Sequence, residues 1–234
     1  MIVNSAYEEF KRAIVHCDNM MEIHDALGKG RGRRHREAAL TRGSVVLAVA
    51  AWQAFVEDLA RALWNHQVEQ LKSNTGGVYD VASSRWTSDF NKKVGDFSTP
   101  SPDNCRNLLK YANFDPWKFW TWEHRGSFGR PGVTVKPHHV AEVMRQWLDV
   151  RHKVAHGNKE FDECVVIGSF RVEDLGKIPK NPEIRKLDAR SCTSFFKSVA
   201  FVSADGASKS IDFEFDYEVP DLILGMHPRW LEGN

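Results

Sequence analysis

The sequence predicts an all-α fold, an up-and-down antiparallel bundle of about five helices with irregular connections and room for one short β hairpin. Three observations carry that expectation. Apolar residues recur at helical spacing near the start of the chain. The run "SVVLAVAAWQAFV" is apolar on nearly every face, as a helix at the centre of a bundle would be. Residues 137–156 repeat a helical period between a proline and a glycine.

Taken in order, a first helix over about 4–27 is marked by Ala6, Phe10, Ile14, Cys17 and Met21 among charged neighbours. "GKGRGRRHRE", residues 28–37, follows as a glycine-interrupted basic loop. Gly43 and Ser44 open or interrupt a second helix over about 38–72. Its apolar centre is broken by Gln53, Glu57 and Asp58 and is too short to span a bilayer, so no membrane contact is expected. "SNTGGVYD" separates it from a modest helix over about 84–95. Ser101-Pro102-Asp103 supplies a capping oxygen and a first-turn proline for a helix over about 102–112. Residues 114–135 hold three tryptophans with several glycines and prolines, and read as a long packed connection. Pro137 starts the next helix, over about 137–156, and Gly157 is placed to end it. "CVVIGSF" (164–170) has strand character. A last helix is expected from Leu187 to about Ala204, with Gly206 near its end, before the irregular tail "LILGMHPRWLEGN". The whole chain, 1–234, is expected to form a single domain.

Composition narrows the function classes. Of 234 residues, 42% are hydrophobic and 27% charged, which excludes wholesale disorder. A net charge of +1 removes any bulk attraction for polyanions, so nucleic-acid binding would need local clustering. Cys17, Cys105, Cys164 and Cys192 form no CxxC pair, which excludes a zinc ribbon or thioredoxin motif; scattered thiols suit a reducing cytoplasm. The start "MIVNSAYEEFKRAIV" carries acids where a secretory signal needs an apolar run, so a cytoplasmic location is expected.

The unusual feature lies in "WLDVRHKVAHGN", residues 147–158. On a wheel at about 100° per residue, Val140, Val143, Met144, Trp147, Leu148, Val154 and Ala155 share one sector, and Arg151 falls near its middle. His152 lies on the sector's edge, and His156 roughly 140° from Arg151. An arginine there must be paired or must face something other than a dry core, because an unpaired buried charge costs several kcal/mol.

Arg151-His152-Lys153-Val154-Ala155-His156-Gly157 resembles the R-x4-6-H signature of HEPN domains. The helix "VLAVAAWQAFVEDLARAL" and the Trp147–Leu148 pair are similar to the RiboL-PSP-type group of that family, over roughly residues 40–160, leaving 160–234 as a C-terminal helical extension. The resemblance implies a metal-independent endoribonuclease that works as a homodimer on an RNA substrate and needs no cofactor. Carried over, Arg151 and His156 are its catalytic residues, with His152 supporting them from the polar position after the arginine. It also implies a toxin or defence effector, with an antitoxin or another regulatory protein as candidate partner. A related branch carries a nucleotidylated tyrosine two places after the histidine; Asn158 stands there instead. The alternative is a non-catalytic HEPN-like module binding a nucleotide, RNA or a protein, and a third reading is a helical scaffold.

The chemistry suits these residue types. RNA cleavage without a metal needs one group to take the 2′-hydroxyl proton, another to protonate the leaving 5′-oxygen, and a cation for the phosphate. Histidine serves either proton role near neutral pH, and arginine grips two phosphate oxygens. One helix provides a single such pair, so two copies facing across a two-fold axis would complete the set. Lys153 and the basic residues Arg31, Arg33, Arg34 and Arg36 are candidate RNA contacts through phosphates, although a basic run more often marks a solvated loop. His152 and His156 also have the spacing of a helical metal pair, with His138, His139 and Glu142 a few turns back, but without an evident third ligand. Trp117, Phe119, Trp120 and Trp122 could stack on bases, though aromatics this dense usually cover a core.

Overall fold

The computed structural model describes residues 2–27, 33–75, 79–124, 132–162, 164–169, 178 and 180–226, with the backbone path alone for 2, 33–36, 74–75 and 79–82. The chain is an all-α bundle: α1 (Ile2–Ala26), α2 (Arg33–Thr75), α3 (Tyr79–Gly95), α4 (Pro102–Tyr111), α5 (Pro137–Ala155), the short α6 (Val166–Ser169) and α7 (Lys186–Ser210), with one hairpin of β1 (Trp122–His124) and β2 (Val133–Val135).

α2 is the axis. Val45, Ala48, Val49, Trp52, Phe55, Val56, Leu59 and Ala60 are all buried on one broad face, while Leu47, Ala50, Ala54, Asp58 and Arg61 line an exposed strip opposite, although the sequence is apolar there for most of the way round. α1, α7 and α5 pack around it, and Phe10 and Phe196 press on the Phe55–Trp52 pair with ring centroids 5.3 and 6.0 Å away. Gln53 is accommodated because its amide donates to Phe97 O at 3.1 Å. Over Glu37–Ser73 the helix is long and apolar enough, by length and composition, to cross a membrane, but half of its most apolar window is packed inside the bundle. At the far end Trp64 stacks on Phe90 at 4.6 Å and 4°, and Tyr111 completes a ring stack joining α2, α3 and α4.

Several boundaries differ from expectation, each for a physical reason. α2 begins at Arg33 and passes through Gly43 and Ser44 without a break; Ser44 is fully buried and its carbonyl accepts from Cys17 Sγ at 3.4 Å. The basic run is therefore partly helical. "CVVIGSF" is not a strand: its residues 166–169 make a kinked helical turn with Gly168 at φ +92°, and Gly168 N–H donates to the buried Asp188 carboxylate at 2.8 Å. The hairpin lies instead inside the aromatic connection, where Trp122 pairs with Val135 and His124 with Val133. Ser101 caps α4 as expected, accepting from Asn104 N–H at 3.2 Å.

The aromatic connection is core. Trp120 and Trp122 are buried, Trp117 and Phe119 pack against them, and Trp120 Nε1–H donates to Ser203 Oγ at 2.9 Å. Asp115 fixes this segment by accepting two bonds from Arg106, at 2.9 and 2.7 Å, and the Arg106 guanidinium beside it holds its carboxyl below the usual range. The four cysteines are free and buried, and burial pushes the Cys17 thiol up to about 11.

α7 runs past Gly206 to Ser210 because that glycine is a contact surface. A Cβ there would lie 2.3 Å from Phe119 Cγ and 2.8 Å from its Cβ, too close for the ring to swing away. Gly206→Ala should therefore destabilise the fold by about 1–3 kcal/mol despite alanine's better helix propensity. Equilibrium urea unfolding measures this, and adding Phe119→Ala should erase most of the difference between Gly and Ala at 206.

Candidate functional site

The site candidates cluster at the C-terminal end of α5. That helix begins where Pro137 sets the first turn, and the extended Lys136 before it donates its backbone N–H to His139 Nδ1 at 3.1 Å. His139 is fully buried, so it anchors the helix start rather than facing a ligand. Val140, Ala141, Val143, Met144, Trp147 and Val150 continue the buried face, and Gln146 Oε1 accepts from Val166 N–H at 2.9 Å.

Val150 changes the reading of Arg151. With Val150 fully buried, the packed arc in this half of the helix centres between Trp147 and Val150, leaving Arg151 at its margin rather than in its middle. Towards this end the cover thins: Leu148 and Val154 are half-buried and Ala155 is exposed. Arg151 is half-buried as well, and among the described residues its guanidinium has no hydrogen-bond or ion-pair partner. An arginine in this position is held by neighbouring packing while its five donors are unused by the described residues.

The helix end is a Schellman motif. Gly157 stands at φ +73°, its N–H donates to Val154 O at 3.0 Å, and Asn158 N–H returns to Lys153 O at 2.9 Å. This stops the helix one residue after His156 N–H bonds His152 O at 3.0 Å. Both imidazoles are exposed and lie against each other, ring centroids 4.3 Å apart and tilted by 56°. The structure thus brings His152 and His156 together. It does not bring His156 onto the face of Arg151, because a five-residue separation on one helix leaves them roughly 140° apart.

The other sequence candidates are placed differently. Lys153 is half-buried and engaged: its Nζ donates to Asp162 O at 3.0 Å and lies 3.6 Å from Cys164 Sγ, tying down the loop that follows the helix. Arg33, Arg34 and Arg36 lie on the first turns of α2, their side chains outside the described residues, and Arg31 is outside them altogether. The four connection aromatics are occupied in packing. Among the described residues, no group of three or more His, Cys, Asp or Glu is placed to hold a metal ion.

Two participants near this end were missed by sequence reasoning. Phe161 is buried under the Arg42 guanidinium, 5.5 Å from ring centroid to carbon, and Asn181 Oδ1 accepts its N–H at 3.1 Å. Their partners are 119 and 20 residues away in sequence, and nothing local in "GNKEFDE" signals them.

A family model described as RiboL-PSP-HEPN matches residues 11–165, which takes in the larger part of α1, all of α2 through α5 and the whole Arg151–His156 segment. No curated protein and no solved structure matches the chain.

Because only glycine adopts the φ of residue 157 without strain, Gly157→Ala should cost about 1–2 kcal/mol. Thermal unfolding reads that loss, and a cost within error of zero would mean the Schellman end is not needed.

Proposed function

This chain belongs to the RiboL-PSP-HEPN family, and on that premise we propose that it is a metal-independent endoribonuclease acting as a homodimer. The observation that carries the reading is Arg151, half-buried at the margin of the core and without an ion-pair partner among the described residues, on the helix end that carries two exposed imidazoles lying against each other. A merely structural arginine would be expected to pair with an internal acid, since leaving a partly desolvated cation unmatched has a cost.

In this reading two α5 ends meet across a two-fold axis. Each protomer then offers Arg151 from one side and His156 from the other, which resolves their separation around a single helix. The half-buried Leu148 and Val154 and the exposed Ala155 provide apolar surface for that seam. One neutral His156 takes the proton of the 2′-hydroxyl, whose oxygen attacks the adjacent phosphorus. The bond from phosphorus to the 5′-oxygen breaks, and the partner's protonated His156 supplies the proton to that oxygen. Arg151 side chains grip the non-bridging oxygens as charge builds. The products are a 2′,3′-cyclic phosphate and a 5′-hydroxyl, and DNA is not cut. His152 acts as a positioning residue through its ring contact with His156. A toxin or defence role, with a regulatory protein partner holding the seam closed, fits an enzyme with so exposed a reactive end.

The test is incubation of wild type, His156→Ala and Arg151→Ala with mixed-sequence RNA in EDTA. Wild type should leave cyclic phosphate ends, and each variant should lose roughly 10²–10⁴-fold in cleavage rate. Cleavage that requires a divalent ion, or survives in both variants, refutes this site. RNA binding without cleavage in all three would favour the non-catalytic module. Light scattering should give twice the protomer mass; a strictly monomeric active enzyme would defeat the shared-site arrangement.

A further inference from the structure

A second site lies away from the α5 end. The end of α1, the start of α2 and the segment leading into α7 border a half-open cavity of about 570 Å³, a size typical of small-molecule sites. His24, Glu37, Arg42, Glu183, Arg185 and Lys186 line it. Its wall is preformed: Thr41 Oγ1–H donates to Ile184 O at 3.2 Å, a buried bond that ties α2 to the chain before α7.

The charges around this cavity are unequally satisfied. Lys186 and Arg190 both pair with Asp25, so that carboxylate is neutralised. Glu37 faces His24 at 3.8 Å, and both Glu37 and Glu183 are already engaged. Among the described residues, Arg42 and Arg185, from two different elements, have no ion pair; Arg42 lies over the Phe161 ring. Two guanidiniums without a paired carboxylate lining one cavity match a ligand with several anionic oxygens, because a phosphate can accept from more than one donor at once.

We propose that this cavity binds a phosphate-bearing nucleotide unit, with Arg42 and Arg185 on the phosphate. The unit is either a free mononucleotide or one residue of an RNA strand. The site adjoins the α5 end through the chain: Arg42 covers Phe161, and Asn181 in the cavity-forming segment holds Phe161 N–H, five residues past His156. The proposal does not depend on cleavage, since it concerns binding by different residues.

Calorimetric titration of the full chain with an equimolar mixture of the four nucleoside 5′-monophosphates tests it. A second arm uses a single-stranded RNA oligomer in a His156→Ala background, so that the strand stays intact. Arg185→Glu, at an exposed side chain with no ion-pair partner among the described residues, should weaken binding at least roughly tenfold, the scale of one charge-assisted hydrogen bond. Arg42→Ala should do the same, with circular dichroism verifying the fold, since it also uncovers Phe161. Arg12→Glu, the same charge change about 18 Å further up α1, should have little effect. Weakening in the monophosphate arm identifies a free-nucleotide site, and weakening in the RNA arm alone identifies a strand contact. Absence of binding in both arms overturns the proposal, as does binding that Arg185→Glu and Arg42→Ala leave unchanged or that Arg12→Glu weakens equally. Loss of cleavage in the His156→Ala enzyme bears on the nuclease site only.

Discussion

One helix with a broad, continuous apolar face organises this protein. The inner side of α2 cannot be left in water, because Trp52, Phe55, Val56 and Leu59 line up on it at i, i+3, i+4 and i+7 and each gains roughly 1.5–3 kcal/mol from burial. That face has to be covered, so α1, α5 and α7 are packed along it, while Ala50, Ala54, Asp58 and Arg61 stay exposed on the opposite side. α7 completes this enclosure although it lies beyond the span matched by the family model, which makes the C-terminal region part of the core. The aromatic connection closes against α7, with Phe119 seated on Gly206 and Trp120 bonded to Ser203.

The character of the α5 end follows from where that enclosure stops. The inner face of the helix is buried through Val150; past it the neighbours run out. Arg151 stands at the margin of that face, where its aliphatic stem can pack while its head stays in reach of solvent. The Schellman turn then ends the helix on glycine and leaves both imidazoles at the surface.

Cations are distributed between structural and available roles, and the distribution is not visible from residue type. Arg106 and Lys153 are consumed locally, one by Asp115 and the other by Asp162 O. Among the described residues, Arg42, Arg151 and Arg185 are left without ion pairs. Identical side chains thus differ in what they can bind only through what surrounds them, which is why a net charge of +1 says so little about partners.

Local chemistry determined much of this molecule. The helical periods of α1 and α5, the Ser101-Pro102 start and the glycine that ends α5 each express a short-range rule, and all were legible. Misreadings arose where a distant partner overrode a local preference. Gly43 looked like the opening or a break of α2, and Gly206 left the end of α7 open, yet both lie inside helices that tertiary packing sustains. "VVIG" looked extended, but Asp188 captures the Gly168 N–H and curls the segment into a turn. The margin position of Arg151, the Phe161–Arg42 contact and the cavity beside it depend on residues tens of positions apart. Only the folded chain could decide them, because spacing along a sequence carries the geometry of one element and not the depth at which its neighbours stop covering it.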